Sequence, residues 1–147
     1  YCLQFIDPAH TRVSVFRPFS GYGADQALEY PFPSYIQRAR QRKDPFEIWG
    51  DGCQVRDWIH ITDIVGAVQE ALRQDIIGPV NLGSGEATTF NQLATMVCDK
   101  VGYNPRRDHR LDAPQGVMYR CSDNSRMLEF YRPRISLEQG IAMALSD

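Results

Sequence analysis

The stretch that most constrains the fold is Glu47-Ile48-Trp49-Gly50-Asp51-Gly52-Cys53-Gln54-Val55-Arg56-Asp57-Trp58-Ile59-His60-Ile61-Thr62-Asp63. Two glycines flank an aspartate, and glycine enters left-handed backbone at little steric cost, so the chain must reverse there. The segments on either side are apolar and β-prone. The run therefore predicts a hairpin whose mouth exposes Trp49 and whose return strand carries Arg56. An indole offers a plane for stacking, and a guanidinium offers a fork for a diphosphate. A surface hairpin with a core Trp and a solvated Arg uses the same residue types, so composition leaves both readings open.

Along the rest of the chain, strand-like runs alternate with helix-like ones. Val13 to Phe16 is β-branched and aromatic and stops at Arg17-Pro18, as in a buried parallel strand. Ala24 to Pro33 is turn-rich, and Ser34 is placed to cap a helix reaching about Lys43 with Tyr35, Ile36 and Ala39 inward. Thr62 or Asp63 is placed to cap a helix with Ile64, Val65, Val68, Ala71 and Leu72 as its apolar positions, ended by Gly78-Pro79. Val80 to Leu82 reads as another strand. Thr89-Phe90-Asn91-Gln92 has capping-box form, with Phe90, Leu93, Ala94, Val97 and Val101 on one face before Gly102. Val117 to Cys121 reads as a short strand, Asp123 as the cap of a brief helix to about Phe130, and Ser136 as the cap of a last helix with Ile141, Ala142 and Leu145 inward. This alternation predicts α/β architecture.

At 147 residues and 43% hydrophobic content the chain can bury one core. A net charge of −2 gives no general attraction to nucleic acid or anionic lipid. Lys43 and Lys100 are the only lysines among sixteen basic residues, and the arginine excess suits planar recognition of phosphate and carboxylate. Arg106-Arg107-Asp108-His109-Arg110 reads as a loop salt-bridge network. The four cysteines, at positions 2, 53, 98 and 121, lack C-x-x-C spacing, so reduced, mostly buried thiols and no structural metal are expected. No run of about 18 apolar residues and no signal-peptide pattern occurs, which makes no membrane association and a cytoplasmic setting the default expectation.

Four motifs follow one another in an order that resembles the second half of the NAD(P)-dependent nucleotide-sugar epimerase/dehydratase family, the extended short-chain dehydrogenases. They are Val13 to Gly23, similar to a strand followed by RPxNxYG; Trp49 to Asp63, similar to YGDGxQxRDFIHVDD; Pro79 to Glu86, similar to xYNxGSGE; and Ile135 to Ile141, similar to xSLEEGI. The resemblance implies a partial Rossmann-type parallel sheet plus a small substrate-binding α/β subdomain, with residues 11–23 and 60–83 belonging to the sheet and its helices. The family's GxxGxxG unit and Tyr-x-x-x-Lys pair lie upstream of these motifs, and no Tyr here is followed by Lys at that offset. A fragment, inert by itself, is therefore expected. Its strands would leave edges bare, through which a homo-oligomer could pair. Gly83-Ser84-Gly85 lacks the third glycine of a dinucleotide fingerprint, where Thr88 stands, and reads as a turn.

The resemblance also implies roles. Arg56 and Arg120 would grip a nucleotide diphosphate, although Arg56 could instead pair with Asp57 or Asp63. Trp49 would stack on the base, with GDP-sugars slightly favoured. Asn81 could hydrogen-bond the same diphosphate as the two arginines or simply satisfy backbone. Ser20 replaces the family's usual Asn beside the sugar phosphate. Pro18 and Phe19 would sit beside the nicotinamide of NAD or NADP in an intact enzyme, with no tight cofactor binding expected of this chain alone. Trp58 and His60 read as packed residues. A non-catalytic nucleotide-sensing or interaction module keeping the same fold is the alternative.

Overall fold

The computed structural model describes residue 7 and residues 10–146, so the expectations for Cys2 and the first six residues lie outside it. In chain order the elements are β1 (Ser14–Pro18), β2 (Ser20–Tyr22), α1 (Pro31–Arg40), β3 (Phe46–Trp49), β4 (Val55–His60), α2 (Ile61–Arg73), β5 (Gly78–Leu82), β6 (Ala87–Thr89), α3 (Phe90–Val101), β7 (Arg107–Arg110), β8 (Tyr119–Arg120), α4 (Ser125–Leu128) and α5 (Leu137–Ser146). β1 and β5 form a parallel pair. β4 is a shared strand: its end half pairs parallel with β2, and its start pairs antiparallel with β6 and parallel with β8.

The expected hairpin does not form. β3 pairs in parallel with β7, placing Trp49 opposite Arg110, while β4 belongs to the separate four-stranded sheet with β2, β6 and β8. The Gly50-Asp51-Gly52 reversal, with φ of 73° and 74° at its glycines, is thus a crossing between sheets. The basic cluster expected to be a loop is largely β7. Arg107 lays its guanidinium 5.3 Å from the Phe46 ring centroid and donates to Cys98 Sγ at 3.0 Å. Arg110 does pair locally with Asp112, and it also pairs with Glu47 of β3, a partner from outside the cluster. His109 shares a hydrogen bond with Asn91 Oδ1 at 2.9 Å.

Helix starts follow local chemistry, in two cases a few residues from where the spacing puts them. α1 begins at Pro31 rather than after Ser34, because the ring-fixed φ of proline suits a first helical turn. α2 is capped by His60, whose Nδ1 accepts from Thr62 N at 3.3 Å, and not by Thr62 or Asp63. α3 shows both arms of the Thr89/Gln92 capping box and ends at left-handed Gly102. α5 repeats the box with Ser136 and Gln139.

Two cores result. Tyr22, Phe32, Tyr35, Phe46, Ile48, Trp58, Leu93, Val97 and Ile141 fill the space between α1, α3, α5 and their strands. Ile59, Ala67, Val80, Leu82 and Met127 join α2 and α4 to the β1·β5 pair. Each large side chain so buried stabilises the fold by about 1.5–3 kcal/mol. Val65 and Leu72 do not belong to the inward stripe: they are 48% and 63% exposed, while Ala67 and Ala71 are buried. α2 carries apolar residues on more than one face, and Tyr131 packs where a Cβ at Gly66 would stand. Nor are the thiols mostly buried, since Cys53 is exposed, Cys121 is partly so and Cys98 alone of the described three is enclosed.

Burial pushes the His60 imidazole below its usual range, with Asp63 acting in the opposite sense. The folded state then binds a proton less readily than the unfolded chain, so this residue contributes stability above the unfolded pKa and loses it as pH falls below that value. The melting temperature is expected to drop between about pH 7.5 and 5.5, and to drop less in His60→Asn, which keeps a capping acceptor but does not titrate. Equal pH slopes for the two proteins would contradict this role.

Candidate functional site

β4 and β8 meet in a register that sets Arg56 directly opposite Arg120. Two arginines remote along the chain are thereby neighbours across a parallel strand pair. Arg56 makes no ion pair with Asp57 or Asp63. Its Nη1 donates to the carbonyls of Val55 at 2.7 Å and Val117 at 2.6 Å, and its guanidinium lies 5.3 Å from the Phe90 ring centroid. Partial burial and then the charge of Arg120 both lower its affinity for its proton, a pressure that an anion would relieve. Arg120 is exposed and donates from Nη2 to Ser20 Oγ at 3.2 Å. Ser20 is itself held in β2, opposite Trp58 of β4.

The scaffold under this pair is Asp57, whose part was not apparent from the sequence. Its buried carboxylate accepts from Ser84 N and Ser84 Oγ, both at 2.6 Å, from Gly85 N at 3.1 Å, and from Ser122 N at 3.0 Å and Ser122 Oγ. A Cβ at Gly83 would strike both Asp57 Oδ2 and Ser122 Oγ, so glycine is required for the turn to close on the carboxylate. Ser122 lies two residues after Arg120, and Asp57 thus fixes the chain leaving β8. Asp63 does similar work nearby, accepting from Tyr131 Oη at 2.8 Å and from the amides of Arg134 and Ile135.

Arg56 and Trp49 line one cavity of about 560 Å³, together with Tyr35, Arg38, Phe90 and the 114–116 loop. Trp49 is 46% exposed, so the wall it forms is an accessible aromatic plane. Tyr35 and Phe90 were legible only as inward helix positions; their places on this wall depend on how α1 and α3 pack together. The Tyr35 hydroxyl is buried without a partner among the described residues. Trp58 is core, as expected, at 6% exposure.

The other candidates sit apart. Asn81 in β5 donates its amide to the Asp123 carbonyl at 2.8 Å, which is the backbone-satisfying role. Pro18 and Phe19 line a separate cavity of about 460 Å³ with Gly21, Tyr22, Ile61 and Ile64. The Gly83-Ser84-Gly85 turn does not fit a dinucleotide phosphate, because its amides at Ser84 and Gly85 already bind the Asp57 carboxylate. Among the described residues no group of three or more His, Cys, Asp and Glu could hold a metal ion, and no helix is long and apolar enough to cross a membrane.

Parallel strands joined through helices, with a basic and aromatic cavity beside the shared strand, define an α/β chain with Rossmann-type strands, like that of the extended short-chain dehydrogenases. The chain belongs to the NAD dependent epimerase/dehydratase family, whose model matches residues 1–83. It is 32% identical over 112 residues to GDP-mannose 3,5-epimerase of Arabidopsis thaliana, covering 74% of this chain and 29% of that protein. It is 26% identical over 143 residues to UDP-glucuronic acid decarboxylase 2 of the same plant, covering 95% and 32%. Among solved structures, UDP-glucuronic acid 4-epimerase of Bacillus cereus, in complex with a fluorinated UDP-sugar and NAD, superimposes with a TM-score of 0.86 at 25% identity, over 99% of this chain and 48% of that one. The chain thus spans about a third of the curated relatives' length and about half of the solved chain.

Replacing Asp57 by Ala would strand the amides of Ser84, Gly85 and Ser122 in the interior. Unfolding in urea is expected to show a loss of at least about 3 kcal/mol, and a variant as stable as the parent would show that these bonds do not hold the site together.

Proposed function

We propose that this chain forms the nucleotide-sugar-binding part of an NAD(P)-dependent epimerase, dehydratase or reductase. The observation that carries the reading is the Arg56–Arg120 register across β4 and β8, with Trp49 on the cavity that Arg56 lines. Two guanidinium groups neutralise a pyrophosphate without a metal, and each can do so with bidentate geometry. Ser20, tied to Arg120, completes the sugar-phosphate side. The indole plane of Trp49 takes the base, and guanine suits it on the strength of the Trp49 position and the GDP-mannose relative.

On this reading β1, β5 and α2, within residues 11–23 and 60–83, belong with the cofactor-binding sheet, and Pro18 and Phe19 face the nicotinamide end. The Tyr-x-x-x-Lys pair that moves protons in the family is not present in these 147 residues. Hydride and proton transfer are therefore assigned to the complete protein, and binding to this part of it.

A thermal-shift panel of GDP-, UDP- and dTDP-sugars on the complete gene product tests the proposal. At least one is expected to stabilise the parent protein. Arg56→Ala is expected to remove most of that shift, with a binding loss of about 1.5–3 kcal/mol, the worth of a hydrogen bond to a charged group. An Arg56→Ala variant that responds like the parent to the stabilising nucleotide would end the assignment of Arg56, whereas a parent protein that responds to none of them would favour the non-catalytic interaction module.

A further inference from the structure

We infer that Glu47 is a positioning residue that presets the indole plane of Trp49 for stacking on the ligand's base; the inference rests on the reading of Trp49 given above. Glu47 and Trp49 are two apart in β3 and so project to the same side of the strand. Trp49 Nε1 donates to Glu47 Oε1 at 2.8 Å. That carboxylate is gripped in turn: Arg110 Nη1 lies 3.3 Å from Oε2, and Arg38 Nη2 lies 3.6 Å from Oε1. Arg38 Nη1 also donates to the Glu47 carbonyl at 3.0 Å, so side chain and backbone are held from α1 as well as from β7.

The backbone of Trp49 is fixed by separate contacts. Its carbonyl accepts from Gln54 Nε2 at 3.2 Å, and the next amide, Gly50 N, donates to the Arg110 carbonyl at 2.9 Å. A half-exposed indole gains little for the fold by such restraint, since water would satisfy its N–H and immobilising a side chain costs rotamer entropy. What the restraint does achieve is geometric. The ring edge is engaged by the carboxylate while the indole stays accessible on the wall of the cavity that Arg38 and Arg56 also line. A binding plane ordered in advance does not have to be ordered when the ligand arrives.

The test is a double-mutant cycle read by calorimetric titration of GDP into the complete gene product. Glu47→Ala is expected to weaken GDP about tenfold, a shift that single well-placed contacts produce. Glu47→Gln is expected to stay within about twofold of the parent, because its amide oxygen still accepts from the indole. In a Trp49→Ala background, Glu47→Ala is expected to have no further effect. Glu47→Thr, which suits a strand but cannot reach the indole, is expected to behave as Glu47→Ala does and supplies the measurement if that variant loses its fold. Equal weakening with and without Trp49, or no weakening where Trp49→Ala weakens binding, would overturn the positioning role. Unaltered GDP affinity in Trp49→Ala would overturn the stacking reading itself.

Discussion

The Asp57 carboxylate, sealed in the interior, gathers donors from two segments far from it in the chain. Taking such a charge out of water costs several kcal/mol, and it is tolerated only where hydrogen bonds replace the lost hydration. Here five do, from Ser84, Gly85 and Ser122. The effect is to lock the turn after β5 and the chain leaving β8 onto β4. Because neighbouring side chains on a strand project to opposite sides, the same register that turns Asp57 inward presents Arg56 outward. The arrangement of the cavity wall is therefore a consequence of how the interior is satisfied.

Arg56 and Arg120 are like charges held across one strand pair, which opposes their proximity. Among the described residues Arg56 has no carboxylate partner; it is kept in place by two backbone carbonyls and by the face of Phe90. Neutral acceptors orient a guanidinium without cancelling its charge. The pair thus retains its attraction for an outside anion, which an internal Asp57 or Asp63 partner would have quenched. The carboxylate next to it in sequence, Asp57, is instead saturated by amides and hydroxyls.

What could be read from the sequence was whatever local chemistry decides. The helix from Phe90 to Val101 needed only its capping box, its apolar face and Gly102. β1 and β5 announced themselves by β-branched residues next to proline. Legibility failed where a remote partner decides. β3 turns away from β4 because its partner is β7, a charged segment without apolar alternation that pairs through its backbone and lays Arg107 on Phe46. The face that α2 buries was not readable because it is apolar on several sides, and Tyr131 makes the choice by packing on Gly66. At the candidate site, motif order pointed to Arg56, Arg120 and Ser20, whereas Asp57 looked like a mere neighbour of Arg56 because its donors come from residues 84–85 and 122.

The crossing at Gly50-Asp51-Gly52 carries a further implication. Trp49 is anchored to one sheet and Arg56 to another, so the distance between the indole and the guanidinium depends on this connector and on how α1 and α3 pack the sheets together. Asn91 staples it, binding the carbonyls of Asp51 and Gly52. The separation of indole and guanidinium is therefore a property of how two sheets are assembled over one core, and belongs to neither strand alone.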